Sequence, residues 1–167
     1  TVIIDENSVR DPVSYTLLPG VSRVLDPSQP QFRQENVQAL SLKITDLAAQ
    51  DARAVYKNTN YDLRQYKRLL LFTHAEAPKL DVNDLADGDL AVFIRLGSDY
   101  KNNYYEYEVP LKLTPHGEYN YNNSEHQKIV WPAENMLNFR LEILPDLKLE
   151  RNRENRSGTN GVSFQPV

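Results

Sequence analysis

Few side chains in this sequence have the types and the spacing that catalysis needs. His74 and Glu76 stand two residues apart in an apolar segment, so both would lie on one face of a strand, as a base with its orienting acid or as half of a metal site. A pair at the rim of a sheet has the same spacing and is the favoured interpretation. Glu106 and Glu108 also share a face, as glycosidase acids would, but alternating glutamates are ordinary on the solvent side of an antiparallel strand. No serine-nucleophile or phosphate-loop motif accompanies them, so we expect no catalytic residues and no enzyme activity.

Side chains whose oxygen atoms could bind a metal ion are concentrated around Gly88. Carboxylates and amides are what a calcium site needs, but the spacing matches no EF-hand, and the same residue types simply make turns. The candidate calcium ligands are Asp81, Asn83, Asp84, Asp87 and Asp89. Turn formation is the favoured interpretation, and no other cofactor is expected. Because the chain has no cysteine, disulfides and thiolate metal sites are excluded.

Aromatic side chains are concentrated in one third of the chain, among Asn and Asp residues. Tyrosine combines a large apolar surface with a hydrogen-bonding tip, so such a cluster could hold a sugar or a peptide. Alternation places Tyr105 and Tyr107 in the core. The remaining candidates for ligand binding are Tyr100, Tyr104, Tyr119, Tyr121 and Trp131. Each of these side chains could instead cover a loop.

The elements that must position these side chains are mostly strands. Apolar and polar residues alternate, as in a half-buried strand, over residues 38–44, 104–113 and 138–144. Consecutive apolar residues at 69–72 and 91–94 are typical of strands covered on both faces. Turn residues fill 97–103, so the strands on either side of them are predicted to form a hairpin. This pattern predicts an all-β fold, an antiparallel β-sandwich with one or two short helices.

Proline and charge mark the two ends of the chain. The 167 residues, 40% of them apolar, suffice for one core. Four prolines in residues 1–33 predict an extended arm or edge segment, followed by the β-sandwich domain at 34–145. Residues 146–167 are expected to form a loose tail, with one more strand as an option. Since the sequence begins without Met or a leader, we interpret it as a piece of a longer protein.

Charge and hydropathy exclude two classes of partner. The net charge of −4 argues against nucleic acid, because a phosphate-binding face usually needs an excess of basic residues. The longest apolar run is far shorter than a bilayer span, so no membrane insertion is expected from this segment. A soluble binding or structural module is therefore the expected class.

Several runs of the sequence resemble a segment of the SprA/Sov family of Bacteroidetes. The runs are residues 51–58, 62–69, 93–100, 102–111 and 130–132, and the resemblance extends over roughly residues 35–145. Members of that family are very large outer-membrane proteins that form the translocon of the type 9 secretion system, and some are linked with gliding motility. The resemblance implies an extracellular or periplasmic domain of such a protein at the cell outer membrane, without catalytic residues. Its implied partners are other domains of the parent protein, secretion-system components or secreted cargo.

Two functional hypotheses follow. The resemblance favours a non-catalytic structural and protein-interaction domain of the translocon. The order of the apolar strands is also similar to jelly-roll, galactose-binding-like modules, and this analogy keeps a glycan-binding module at the bacterial cell surface as the alternative. Burial of Tyr104, Tyr121 and Trp131 would discriminate between the two, because a sugar platform needs exposed rings.

Overall fold

The computed structural model describes residues 2–5, 16, 18–20, 39–77, 84–99, 101–120 and 122–157. Within these residues the strands are β1 (Val2–Asp5), β2 (Ser41–Ile44), β3 (Arg68–Leu71), β4 (Ala91–Gly97), β5 (Tyr104–Pro110) and β6 (Leu137–Arg140). The helices are α1 (Ser124–Val130) and α2 (Ile143–Ser157), with 3-10 helices at Leu63–Gln65 and Ala133–Asn135.

The described strands form three two-stranded sheets, and every pairing is antiparallel. β1 pairs with β2, β3 with β6, and β4 with β5. The strand-rich, antiparallel character predicted from the sequence is therefore confirmed. None of these small sheets closes into a barrel, and the arrangement as a jelly-roll sandwich stays a prediction.

The chain divides into two compact units. The first unit comprises Thr1–Asn60 and Gly117–Val130, and thus holds the β1–β2 pair and α1. The second unit comprises Tyr61–His116 and Trp131–Val167, and holds the other two strand pairs with α2. The domain limits at residues 33 and 145, expected from composition, stay predictions.

The β4–β5 hairpin confirms the clearest local prediction. One face of the pair carries Leu96 opposite Tyr105 and Ile94 opposite Tyr107, while the other face carries Arg95 opposite Glu106. The Tyr107 ring lies 4.8 Å from the ring of Phe139 on β6, centroid to centroid. The apolar face of the hairpin therefore contributes to the core of the second unit, as alternation predicts for Tyr107.

Alternation along β6 determines which side chains form that core. Leu137 and Phe139 are buried, and Leu141, just after the strand, is buried as well. The intervening Asn138 and Arg140 belong to the opposite face of the β3–β6 pair, because side chains alternate along a strand. One face of this pair thus belongs to the core, and the other carries the half-buried Asn138 and the exposed Arg140.

The segment at residues 69–72 is less covered than its sequence predicts. Leu70 is 51% exposed and Leu71 is 45% exposed, although the consecutive apolar run predicts burial on both faces. For Leu70 the reason is that it lies on the face of the β3–β6 pair away from the buried Leu137 and Phe139. Leu71 lies opposite Leu137, at the last position of β3. The predicted half-burial of β2 is also wrong, since all four of its residues are exposed.

Residues 146–157 belong to α2, where a loose tail was expected. Pro145 suggests a helix stop, but it lies in the first turn, where a proline removes no intrahelical hydrogen bond. Asp146 in the same turn interacts favourably with the helix dipole. The half-buried residues Ile143 and Leu147 stand one turn apart on one side of the helix. The suggested further strand lies in residues 158–167, outside the described residues.

Candidate functional site

The aromatic candidate Tyr104 lies on the outer face of the hairpin, against an arginine. The Arg95 guanidinium stands 4.3 Å from the centre of the Tyr104 ring and 5.0 Å from that of Phe93. Arg95 Nε also donates a hydrogen bond to Glu106 Oε2, and this bond raises the pKa of the guanidinium. One face of the Tyr104 ring is therefore occupied by a cation that is itself held by a carboxylate.

Trp131 is half-buried in the second unit and packs against two rings. Its ring meets Phe72 in an edge-to-face arrangement with centroids 6.3 Å apart, and lies 5.8 Å from the His74 ring. His74, considered above as a base with Glu76 as its acid, lies against this ring. The contacts of Trp131 are those of a packing residue.

Tyr119 is half-buried in the first unit, where it packs edge-to-face on His126 with centroids 5.7 Å apart. The backbone N–H of Asn120 donates to Nδ1 of the same histidine at 2.9 Å. Tyr100 and Tyr121 lie outside the described residues. The described aromatic candidates thus pack against different neighbours, Arg95, Phe72 and His126. No observation on them supports a sugar-binding platform, and a ligand-binding role stays a prediction.

The described aspartates of the acidic segment anchor the loop before β4. Asp87 Oδ1 accepts the backbone N–H of Leu113, and Asp89 Oδ2 accepts that of Ala86, both at 2.8 Å. Asp84 is exposed, and Asp81 and Asn83 lie outside the described residues. In the described part of the chain, no group of three or more His, Asp or Glu side chains could hold a metal ion. The calcium hypothesis therefore stays a prediction, and turn formation explains the described aspartates.

Asp99 determines the conformation of the turn between β4 and β5. Its carboxylate accepts the backbone N–H of Lys101 at 2.8 Å and of Asn102 at 2.6 Å, and also the side-chain amide of Asn103 at 2.7 Å. These hydrogen bonds, with that from Asn102 the strongest, lower the pKa of Asp99 from 3.8 to about 2. The carboxylate is thus a structural acceptor that is ionised throughout the physiological range.

A group of cationic side chains that the sequence did not single out lies at the end of the β3–β6 pair. It consists of Lys67, Arg68 and Arg140, and we refer to it as the basic cluster. Together with Glu142, these residues line an open cavity of about 500 Å³. Arg68 and Arg140 are direct partners in the strand register. Because the two arginines lie in distant parts of the sequence, only the strand pairing reveals the cluster.

Comparison with known proteins identifies the family. The family model SprA_N, described as "Motility related/secretion protein", matches residues 1–165. The chain belongs to the SprA/Sov family. This match confirms the resemblance found in the sequence and extends it well beyond residues 35–145. None of the curated proteins matches the chain.

Membership of the SprA/Sov family gives the chain a role in motility or secretion. It is accordingly a protein of the cell envelope that acts with other parts of a secretion system. Among the residues that the structure describes, no helix is both long and apolar enough to span a membrane. The site features of this SprA/Sov chain, namely the stacked Arg95, the packed Trp131 and the open basic cluster, are surfaces and packing contacts.

Proposed function

We propose that this chain is a non-catalytic structural and protein-interaction domain of an outer-membrane translocon that serves type 9 secretion and gliding motility in Bacteroidetes. The observation that carries the proposal is the family match over residues 1–165, almost the whole chain. The domain lies outside the lipid, on the extracellular or periplasmic side. It contacts other domains of its parent protein and secretion-system components or secreted cargo.

Exposed apolar side chains on the first unit support a protein-interaction role. Leu40 is 54% exposed, and Leu42 and Ile44 on β2 are about 40% exposed. Leu42 and Ile44 lie on one face of the β1–β2 pair, and Leu40 stands just before β2 in the same alternation. Isolated two-stranded sheets are marginally stable in water, and contiguous exposed apolar surface is typical of interaction sites. A partner that covers this face would remove apolar area from water and stabilise the pair.

The described polar groups support a role without catalysis. The Asp99 carboxylate and the Asn135 amide both make hydrogen bonds that hold the fold. His126 accepts a backbone N–H, and His74 lies against the Trp131 ring. A general base or nucleophile needs a lone pair directed at a substrate, whereas Asp99, Asn135 and His126 make hydrogen bonds within the fold.

A secretion assay tests the proposal. Leu42→Glu with Ile44→Glu is introduced into the parent protein of a Bacteroidetes strain, and secreted cargo is measured in the medium by quantitative mass spectrometry. The matched control is Leu149→Glu, since Leu149 on α2 is 58% exposed and also gains a carboxylate. We expect the β2 variant to reduce secretion or gliding while the control retains both.

Pull-down with the isolated chain complements the assay. Outer-membrane extract is passed over the immobilised wild-type chain and over the β2 variant, and a glycan array is probed with the same preparations. Recovery of secretion-system proteins by the wild type alone, with a blank array, supports the proposal. Normal secretion by the β2 variant together with a glycan signal would contradict it and favour sugar binding.

A further inference from the structure

The basic cluster combines like charges that the strand pairing brings together. Arg68 and Arg140 are direct partners in the antiparallel β3–β6 register, so their side chains leave the same face of the sheet at neighbouring positions. Like charges directly opposite one another are destabilising. Both side chains are exposed, so the arrangement contributes nothing to the buried core. Its electrostatic cost is removed when an anion lies between the two guanidinium groups.

The immediate surroundings leave most of this positive charge uncompensated. Lys67 adjoins the two arginines in the lining of the cavity, and its carbonyl oxygen accepts the N–H of Leu141 at 3.0 Å, which holds the two chain segments together. Glu142 is the single carboxylate among the residues lining the cavity, and it pairs with Arg140 at 3.2 Å. In the described part of the chain, the side chains of Lys67 and Arg68 have no ion-pair partner. The cluster therefore stays cationic on a chain whose net charge is −4.

An exposed apolar side chain continues the same face. Leu70 follows Arg68 at the next position on that face and is 51% exposed, whereas Leu69 belongs to the core-facing side with Phe139. Alternate residues of an extended chain are roughly 7 Å apart. A polypeptide lying along β3 in extended conformation would therefore place alternate side chains beside the arginines and beside Leu70. A free phosphate or a lipid headgroup would use the cations alone.

We propose that the basic cluster and Leu70 form a docking site for an extended acidic segment of another polypeptide. A carboxylate of the segment binds between Arg68 and Arg140, and an apolar side chain two residues along packs on Leu70. Guanidinium groups match carboxylates in bidentate geometry, and the charge-assisted hydrogen bonds are stronger than neutral ones. This inference rests on the proposed protein-interaction role and specifies the partner as an acidic polypeptide segment.

The test measures binding of a defined probe to the complete chain. The probe is a short fluorescein-labelled peptide that repeats Glu-Ser-Val-Ser, so that glutamate and valine alternate on one face of the extended chain. Its binding is followed by fluorescence anisotropy, and a peptide with glutamine in place of glutamate is its control. The decisive variant is Arg140→Glu, which places a carboxylate opposite Arg68. We expect it to weaken probe binding by at least about tenfold, because a carboxylate replaces one of the two guanidinium groups that hold the anion.

A second variant separates local from general charge effects. Arg68→Gln with Arg140→Gln removes two cations from the site, and Arg151→Gln with Arg153→Gln removes two exposed cations from α2. We expect about a tenfold loss of probe affinity from the first pair and little change from the second. Added salt should weaken wild-type binding, since exposed charges are screened. Leu70→Ser tests the apolar contact and should weaken binding further.

Three results would overturn the inference. They are equal probe binding by the two double variants, equal binding of the glutamate and glutamine peptides, and binding of phosphatidylglycerol vesicles or inorganic phosphate without binding of the peptide. The vesicle and phosphate results would assign the cluster to a different anion. None of these results alters the outcome of the secretion assay with the β2 variant, so failure of the docking site is distinguishable from failure of the proposed function.

Discussion

Asn135 uses its side-chain amide to pair with both backbone groups of Lys112. The N–H of Lys112 donates to Asn135 Oδ1 at 2.7 Å, and Asn135 Nδ2 donates to the Lys112 carbonyl oxygen at 2.8 Å. Asn135 is fully buried, at the end of the 3-10 helix Ala133–Asn135. This pair of hydrogen bonds therefore joins the segment after β5 to the segment before β6 in the way that a backbone ladder would.

Replacing Asn135 should destabilise the second unit strongly. We expect Asn135→Ala to lower the free energy of unfolding by about 2–4 kcal/mol, because two backbone groups of Lys112 lose their partners and a cavity remains. Asn135→Asp should cost at least as much, since a buried carboxylate faces the Lys112 carbonyl oxygen. Urea denaturation measures both. Asn152→Ala on the exposed surface of α2 is the control, and equal effects at the two positions would contradict the structural role.

Gly97 is required by the close approach of the two strands at the hairpin end. A Cβ atom at this position would lie 2.1 Å from the carbonyl oxygen of Asn103 and 2.6 Å from Cα of Tyr104. We expect Gly97→Ala to reduce the unfolding free energy by about 2 kcal/mol or more, because backbone atoms must move to relieve the overlap. Gly117→Ala is the matched control, since its Cβ would make an ordinary contact at 3.6 Å with Tyr119. Thermal melting of both variants gives the comparison.

The hydrogen bonds to Asp99 predict that the stability of the folded chain depends on pH in the strongly acidic range. Hydrogen bonds to its carboxylate, foremost from the N–H of Asn102, lower its pKa from 3.8 to about 2. Because the folded-state pKa is depressed, the ionised carboxylate stabilises the turn above pH 3.8, and this contribution is lost as the pH falls through about 2. The melting temperature of the wild type should therefore approach that of Asp99→Asn as the medium is acidified.

Two measurements check the Asp99 prediction. Carboxyl carbon shifts in an NMR titration should place the midpoint of Asp99 well below that of an ordinary aspartate. The Asp84→Asn variant, which changes an exposed aspartate, should show the same change of melting temperature as the wild type between pH 3.8 and about pH 2. An ordinary midpoint for Asp99, or a pH profile unchanged in Asp99→Asn, would show that the turn does not depend on the ionised carboxylate.

Local patterns predicted the features that depend on neighbouring residues. The β4–β5 hairpin was predictable because alternation and turn residues at 97–103 act within one short stretch. Sequence patterns could not predict the exposure of Leu70 or the pairing of Arg68 with Arg140, because both depend on which distant strand pairs with β3. The family was recognisable from extended runs of sequence, whereas no short motif specified a site.

The helices were the least predictable elements. α2 has few apolar residues and a proline near its start, so its pattern is similar to that of a charged tail. α1 lies in a polar segment, and its start is marked by Asn123, whose Oδ1 accepts the N–H of Glu125 at 2.9 Å. Asn residues favour both turns and helix N-caps, so their presence alone does not discriminate between the two.

Trp131 is the only tryptophan of the chain, so its fluorescence reports on its own packing. We expect Trp131→Ala to lower the unfolding free energy by about 2–4 kcal/mol, because the ring is half-buried against Phe72 and His74. Tyr66→Ala, at a ring that is 54% exposed, should change stability by about 0.5 kcal/mol or less. Urea denaturation followed by circular dichroism compares the two variants.

The fluorescence of Trp131 also distinguishes a packing role from a sugar-binding role. A ring that packs in the second unit should shift its emission on unfolding and keep it when oligosaccharides are added to the folded chain. An emission change at low oligosaccharide concentration, with normal stability of Trp131→Ala, would contradict the packing role. Because a sugar platform needs an accessible ring face, the two outcomes exclude one another at this residue.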